Sequence, residues 1–469
     1  MSKTSGRRRG AALLSVAVLG TALAGTASPA SAATTGPERP THLFNGVAAC
    51  STDPNAPDYV AYGGLGASSY VDIEGVPQDT DTADNPSLTA QYALWPTSDP
   101  AQTTTYSHTD VSTGFEGPAD VLVSSLIEGQ TYAWQARTVA GSAVSPWTHT
   151  CYFVLDQTNP AAVPTITSAN YPTGQWDQGG TPLQFTFGAN GVSDVAGYAF
   201  SWTSPVPVPN LGGIGAYGIP QPQNPWADTA HFVQASSLGG TATVNLLPTV
   251  APDGPVTLYV ESLDRAFNVS ATTSYQVFIS STAPTITAPA TTPAFDTPAK
   301  FTLTPNPTAE AASPIVSYSV TVGGGAARKV KAGADGSATV SLRLNQPGGN
   351  NDVTVTSTSA NGWVSDSAFQ SYYFDTTPVV NSTDYPEYDT SGGAGIAGTF
   401  TFTAQVPNIV SYTYSFDGGT TETTVEADAS GDAQISWTPP GTDFYDLNVY
   451  GTTKDGITLE YTDYYFGVN

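Results

Sequence analysis

Ile315-Val316-Ser317-Tyr318-Ser319-Val320 returns 94 residues later as Ile409-Val410-Ser411-Tyr412-Thr413-Tyr414, and Gly336-Ser337-Ala338-Thr339-Val340 returns 95 residues later as Gly431-Asp432-Ala433-Gln434-Ile435. Looser versions stand upstream, Val195-Ala196-Gly197-Tyr198-Ala199-Phe200 and Gly240-Thr241-Ala242-Thr243-Val244. Self-similarity at a fixed period is the mark of a chain built from repeated units. Within each unit the period is two. Tyr318, Val320 and Val322 alternate with Ser and Thr, as Val353 and Val355 do with Thr354 and Thr356. Successive strand residues point to opposite faces, so this alternation predicts strands with one buried face. Asp417-Gly418-Gly419, Asn361-Gly362 and Asp455-Gly456 read as turns between them. Several short strands in each repeat, with no amphipathic helix, predict two packed antiparallel sheets.

The unit openings match as well: Pro164-Thr165-Ile166-Thr167-Ser168-Ala169-Asn170-Tyr171-Pro172 against Pro378-Val379-Val380-Asn381-Ser382-Thr383-Asp384-Tyr385-Pro386. Each unit closes on an aromatic strand, at Tyr152-Phe153-Val154, Tyr275-Gln276-Val277-Phe278, Tyr373-Phe374 and Tyr465-Phe466. The spacing sets units at 33–158, 159–281, 282–376 and 377–469, three on one template and the first a looser relative. Short Pro-bearing joints at 156–160, 281–284 and 375–378 predict a semi-rigid elongated array, on the order of 140 Å long at about 3.3 Å per strand residue.

Composition agrees. Of 469 residues only 11% are charged, while Gly (46) and Pro (37) are abundant, which excludes a helical bundle or coiled coil. Aromatics at 11% leave enough to bury to exclude a disordered chain. Residues 1–32 read as a secretory signal peptide: Lys3, Arg7, Arg8 and Arg9, then the apolar stretch Ala11–Gly25, then the small-residue site Ala30-Ser31-Ala32. The apolar stretch falls short of the roughly 20 residues that span a bilayer, and no later segment is long and apolar enough, so the expectation is a secreted, extracellular product without membrane insertion. Its removal takes four of the 13 basic residues and no acidic one, leaving nine against 39, a net charge of −30. Such a surface repels phosphate backbones and anionic lipid, which argues against nucleic-acid partners. The charge is uneven: residues 376–469 carry 13 Asp/Glu and one base, Lys454, whereas five bases (Lys300, Arg328, Lys329, Lys331, Arg343) fall within 283–375. Arg328, Lys329 and Lys331 read either as a solvated hairpin or as a dock for an acidic neighbour.

Cys50 and Cys151 are the only cysteines, and an exported chain meets oxidising surroundings, so a disulfide is expected between them. In the same unit, Leu126 lies six residues before Tyr132 across Gly129, the spacing of a tyrosine corner, in which the Tyr hydroxyl bonds back to upstream backbone. Trp134 shares a strand face with Tyr132 and is assigned to the core.

These residues carry a resemblance. The run from Tyr132 through Ser145-Pro146-Trp147 to Cys151-Tyr152-Phe153-Val154-Leu155-Asp156 resembles fibronectin type III-like modules of secreted actinobacterial proteins. Asp264-Arg265-Ala266-Phe267-Asn268-Val269-Ser270, with Tyr275–Phe278 and Thr282-Ala283-Pro284, is similar to bacterial immunoglobulin-like repeats. The resemblance covers nearly all of residues 40–469 and implies an all-β chain of four tandem antiparallel β-sandwich domains. It implies little about function, because such folds host many roles.

Reactive constellations are scarce. Only His42, His108, His149 and His231 exist, none in a nucleophile turn, and no three or four ligands have zinc spacing. With 39 acids, paired carboxylates arise by chance and do not argue for a glycoside hydrolase. No cofactor is expected, with calcium the one metal to consider: Asp79-Thr80-Asp81-Thr82-Ala83-Asp84-Asn85 alternates oxygen donors as a hard cation prefers, but lacks the Gly and distal Glu of an EF-hand and reads more readily as a solvated acidic hairpin loop. The second unit carries an insertion, Pro205–Pro225, rich in Pro and Gly. Trp176, Trp226 and Trp363 sit in loop contexts where a sugar or partner stacks, or where they fold back as lids over sandwich ends. The function expected is a non-enzymatic extracellular spacer, adhesion or partner-binding rod. Its rival is a carbohydrate-binding accessory acting on polysaccharide or cell wall through those tryptophans.

Overall fold

A computed structural model describes residues 36–61, 69–80, 87–248 and 254–469. Residues 1–32, read as a signal peptide, lie outside them. Strands dominate, and the one α-helix among the described residues is the six-residue Pro307–Ala312, capped by Asn306.

The repeated stretch Ile315–Val322 is a strand in the middle of a four-stranded sheet, ordered Arg328–Lys331, Ile315–Val322, Val353–Ser359, Ala368–Gln370. Facing it is a three-stranded sheet, Thr285–Thr287, Ala299–Thr304, Ala338–Leu342. Phe301, Leu303 and Val340 from one sheet meet Tyr318, Val320, Val353 and Val355 from the other in a buried cluster. The final stretch repeats the plan. Val379–Asn381, Gly398–Thr403 and Ala433–Trp437 face a five-stranded sheet built on Ile409–Ser415, Phe444–Thr453 and Thr458–Val468. Upstream, Thr165–Ser168, Leu183–Gly188 and Ala242–Leu246 face the sheet of Gly197–Ser201, Gly254–Leu263 and Thr273–Ser280. One register recurs in all three smaller sheets: Phe185 opposite Val244, Phe301 opposite Val340, Phe400 opposite Ile435. Near the N-terminus a four-stranded and a six-stranded sheet enclose Val71, Ile73, Tyr92, Tyr132, Trp134 and Phe153.

The recurring residues have a shared task. Tyr318 donates its hydroxyl to the Gly336 carbonyl at 2.6 Å, Tyr412 to Gly431 at 2.7 Å and Tyr198 to Gly240 at 2.6 Å. Each ring fills the core while its hydroxyl pins the turn at the sandwich edge, so the Tyr and Gly repeat together. The matched openings do likewise. Tyr385 donates to Ile396 O at 2.6 Å and Tyr171 to Thr181 O at 3.1 Å. The closing-strand tyrosines Tyr464 and Tyr275 donate to the carbonyls of Tyr385 and Tyr171.

In the first sandwich the tyrosine corner forms: the Tyr132 hydroxyl accepts from Ile127 N–H at 2.8 Å. Trp134 is buried, and its Nε1 donates to Asn45 Oδ1 at 2.7 Å. Cys50 and Cys151 are bonded across 101 positions, a closure worth up to about 4.7 kcal/mol in the chain-entropy model.

The expected antiparallel sheets form, with one addition at their edges. Among the described residues the paired strands are antiparallel except at three edges, where Asp58–Val60, Trp176–Gln178 and Thr390–Ser391 pair in parallel with the closing strands Cys151–Leu155, Thr273–Ser280 and Thr458–Val468. In two of the template units, those opening at Thr165–Ser168 and Val379–Asn381, the opening segment pairs first in the smaller sheet, then crosses to the larger one beside the last strand. Period-two alternation reports the buried face and carries no information on strand direction.

Removing only the hydroxyl isolates the pinning bond. Tyr412→Phe keeps the ring and strands the Gly431 carbonyl, so about 1–2 kcal/mol of stability is lost. Tyr414→Phe, on the same strand and without that bond, is expected to change little. Urea unfolding followed by tryptophan fluorescence compares the two.

Candidate functional site

Each template sandwich turns one hairpin toward the unit before it. The hairpins share a hydrogen bond between residues four apart: Asp264 N to Asn268 O, Ser359 N to Trp363 O, Thr453 N to Ile457 O. The tips dock. Asn361 Nδ2 donates to Gly180 O at 2.8 Å, and Trp363 Nε1 to Thr282 Oγ1 at 3.0 Å. The Trp363 ring, 1% exposed, enters the core cluster of the preceding sandwich. Gly179 permits this, since a Cβ there would sit 2.7 Å from the ring. Asp366 accepts from Thr282 N at 2.6 Å and from Ser281, fixing the connecting segment. At the last joint Arg343 donates to Asp296 Oδ1 at 3.3 Å and to Asp455 Oδ2 at 2.9 Å, while Phe295 is buried in the final core.

The first joint is the most elaborate. Asp264 Oδ1 accepts from Ala266 N and Asn268 N, shaping a tip from which Asn268 Nδ2 donates to Asp156 O at 2.9 Å. The Arg265 guanidinium lies 3.6 Å over the Tyr59 ring. The Pro205–Pro225 insertion adds a second contact. It forms a short hairpin, Gly212–Ile214 with Pro220–Pro222, whose Tyr217 carbonyl accepts from Glu116 N at 3.0 Å. The Tyr217 ring meets Phe115 edge-on at 4.7 Å. Between the two sandwiches lies a cavity of about 550 Å³, with Tyr59, Val71, Leu211 and Phe267 as apolar wall and Asn45 and Asp72 as polar groups. This volume is in the range of small-molecule sites.

Carboxylates crowd this joint. Glu74, 8% exposed, leaves Oε2 without a hydrogen-bond partner. Burial first, and then the charges of Glu116, Asp72 and Asp120, push its carboxyl up to about 9. Burial and Asp120 push Asp72 up to about 6, and burial also raises Glu116, against the nearby His108. Asp156, Asp194 and Asp264 bring one oxygen each within 4.8 Å of one another, a set of hard donors that a divalent cation accepts. Asp264 already accepts from Ala266 N, Asn268 N and Asn268 Nδ2, so its first duty is to shape the tip. Burial pushes its carboxyl up to about 6. Cys50, His149 and Cys151 also lie together, but both sulfurs are consumed in the disulfide.

The residues singled out from sequence fall apart in space. Asp79 is buried at the end of its strand with its N–H on Thr113 Oγ1, while Asp81 and Asp84 lie outside the described residues. Trp176 is exposed on an edge strand, its ring 5.6 Å from Phe278. Trp226 is half-buried against Phe267 at 5.4 Å and roofs Gly197. Trp363 is corrected: it is a buried joint residue with no face for a ligand, because its neighbour across the joint covers it. Sequence reasoning missed Glu74, since an acid alternating with Val71 and Ile73 reads as a solvated strand face. The insertion that helps cover this region belongs to another sandwich.

No family model matches the sequence, and neither does any curated protein. Among solved structures the chain is similar to a tetra-tandem repeat in the extending region of a large adhesion protein, at 16% identity, covering 88% of this chain and 98% of that one with a TM-score of 0.20. It is also similar to the FN1–FN3 domains of chicken CNTN1, at 9% identity, covering 72% and 99% with a TM-score of 0.18. At these scores the fold rests on the strand order itself.

A carboxyl held above its ordinary value binds its proton more tightly folded than unfolded, so its stabilising contribution is complete below the unfolded value and lost as pH rises through the folded one. For Asp72 and Glu74 the decline runs from about 4 up to about 6 and about 9 respectively. Glu74→Gln keeps the uncharged shape at every pH. Calorimetry at pH 5 and pH 9 is expected to show a smaller fall in melting temperature for the variant than for the parent, with the difference concentrated at pH 9.

Proposed function

We propose that the chain is a non-enzymatic extracellular rod: four sandwich domains bounded at 33–158, 159–281, 282–376 and 377–469, secreted behind a signal peptide of residues 1–32, that spaces and presents binding surfaces to an adhesive partner. The repeated docking hairpin carries this reading. A chain of independent domains needs only linkers, and inter-domain motion is the default unless the contact is large or apolar. Here three successive joints are locked by the same hairpin position, one of them through a tryptophan sunk into the neighbouring core. Stiffness across joints keeps binding surfaces at fixed separation, which is what a spacer contributes to multivalent attachment. Polar groups at the joints, the buried Asp264 and Asp366 and the half-buried Asn361 among them, hold backbone across or beside the boundaries, work that requires no turnover.

Two measurements test it. Small-angle scattering from the secreted protein is expected to give a single extended particle on the order of 140 Å long, at about 3.3 Å per strand residue; a compact globule overturns the rod. Trp363→Ala empties a core position shared by two domains, so a loss of about 3–5 kcal/mol is expected. Its scattering profile broadens toward that of a flexible chain, and amides around Gly179 and Thr282 exchange faster than in the parent.

A further inference from the structure

The last sandwich displays a row of rings that its fold does not use. On strands Phe444–Thr453 and Thr458–Val468 the residues facing out of the sandwich pair in register: Tyr450 with Tyr461, Asn448 with Asp463, Asp446 with Tyr465, Phe444 with Gly467. Phe444 is 83% exposed and Tyr461 63%. Tyr388, 79% exposed, stacks beside Tyr465 with ring centroids 6.3 Å apart, held there by its own N–H on the Tyr465 carbonyl. From Phe444 to Tyr450 the face runs for about 20 Å at 3.3 Å per residue. Between the rings, Asn448 Nδ2 bridges the Asp446 and Asp463 carboxylates.

The preceding sandwich is an internal control. The same sheet there presents Thr354 opposite Phe369, and Asp352 bonded to Ser371, where the last one has Asn448 opposite Asp463 and Asp446 opposite Tyr465. Thr356 stands 94 residues before Tyr450. The template therefore folds with threonine where Tyr450 stands and serine where Tyr465 stands, and the tyrosines at those positions answer to something outside the sandwich. Clustered exposed rings are how binding faces present themselves.

The geometry points to this face as the docking surface for a neutral polysaccharide, with pyranose C–H faces on Tyr388, Tyr461, Tyr465 and Phe444 and sugar hydroxyls on Asp446, Asn448 and Asp463. Charge narrows the class. Residues 376–469 hold 13 acids and the single base Lys454, so phosphorylated, sulfated or uronic polymers are repelled. A protein partner fits poorly, because protein interfaces deplete Asp at their centre and here two aspartates occupy it. Alternation of flat rings with hydrogen-bonding groups over an uncupped sheet suits an extended sugar chain. The inference names the partner class for the rod proposed above and rests on that reading only in placing the chain outside the cell.

The test incubates the full secreted chain with microcrystalline cellulose, chitin and soluble laminarin, by pull-down for the first two and affinity electrophoresis for the third. Retention on at least one is expected, unchanged in 0.5 M sodium chloride, a salt level at which about 4 Å of screening length remains. Tyr461→Ala with Tyr465→Ala, and separately Tyr388→Ala, weaken it by about tenfold or more, whereas Phe369→Ala, a 74% exposed ring on the preceding sandwich, leaves it intact. Circular dichroism confirms that each variant is folded, and Tyr461→Ser serves where the double variant is not. No retention on any of the three, retention indifferent to the tyrosine variants, or retention abolished by salt each overturns the proposal, the last in favour of a cationic partner. An extended scattering particle with no polysaccharide bound leaves the rod standing and removes only this inference.

Discussion

A two-layer sandwich of this size has two ends where the facing sheets stop and the core meets solvent. The hairpin tips meet that constraint, because each template sandwich sends one into the end of the unit before it. The tips differ in chemistry while keeping one backbone bond. Asn268 and Arg265 act at the first joint, Asn361 and Trp363 at the second, Asp455 with Arg343 at the third. A shared fold position thus carries three different solutions to the same exposed end. Burial of Trp363 in its neighbour's core also makes that neighbour's folding depend on the unit that follows it.

The fold was legible because its determinants are local and repeated. Tyr318 and Gly336 recur as Tyr412 and Gly431, and the bond between ring hydroxyl and glycine carbonyl explains why both are needed at that spacing. The tyrosine corner at Tyr132 was readable for the same reason. Contacts between units were not readable, since they join segments that no periodicity links. Trp363 follows an Asn-Gly turn and looks like a loop residue free for a ligand; the surface that buries it is formed by Gly179 in the preceding unit and Thr282 in the connecting segment. The insertion looked structureless for a related reason. Its Pro and Gly content hides a short hairpin whose partner, Phe115 and Glu116, is in the first sandwich. The ring-bearing face was partly visible: Tyr461 and Tyr465 alternate with the core residues Tyr464 and Phe466, a strand aromatic on both sides, which a soluble sheet with one wet face does not require.

Cations are scarce in a chain with 13 basic residues against 39 acidic ones, and their placement is informative. Arg265 caps the first joint over Tyr59, and Arg343 bridges Asp296 and Asp455 at the third. Arg137 stacks on Trp147 inside the first sandwich. An Arg fork and its flat guanidinium suit such sites better than a Lys point charge. These arginines are engaged where chain segments must be held together, while the exposed lysines Lys329 and Lys331 lie on an edge strand, where charge discourages unwanted strand pairing.

The ends and the faces of the sandwiches therefore answer to different demands. Ends are occupied by joints, and their residues are constrained by the unit on the other side. The outer faces of the larger sheets are constrained by nothing within the chain beyond strand formation, so they vary freely between repeats. In the preceding sandwich that face carries Thr354, Thr356, Asp352 and two exposed rings, Phe369 and Tyr373, while the last carries four tyrosines and a phenylalanine around two aspartates. Had Tyr450 and Tyr465 served folding, the template would place rings at Thr356 and Ser371 as well. Divergence at positions equivalent in structure but idle in packing is what a repeat protein shows where one copy has acquired a surface of its own.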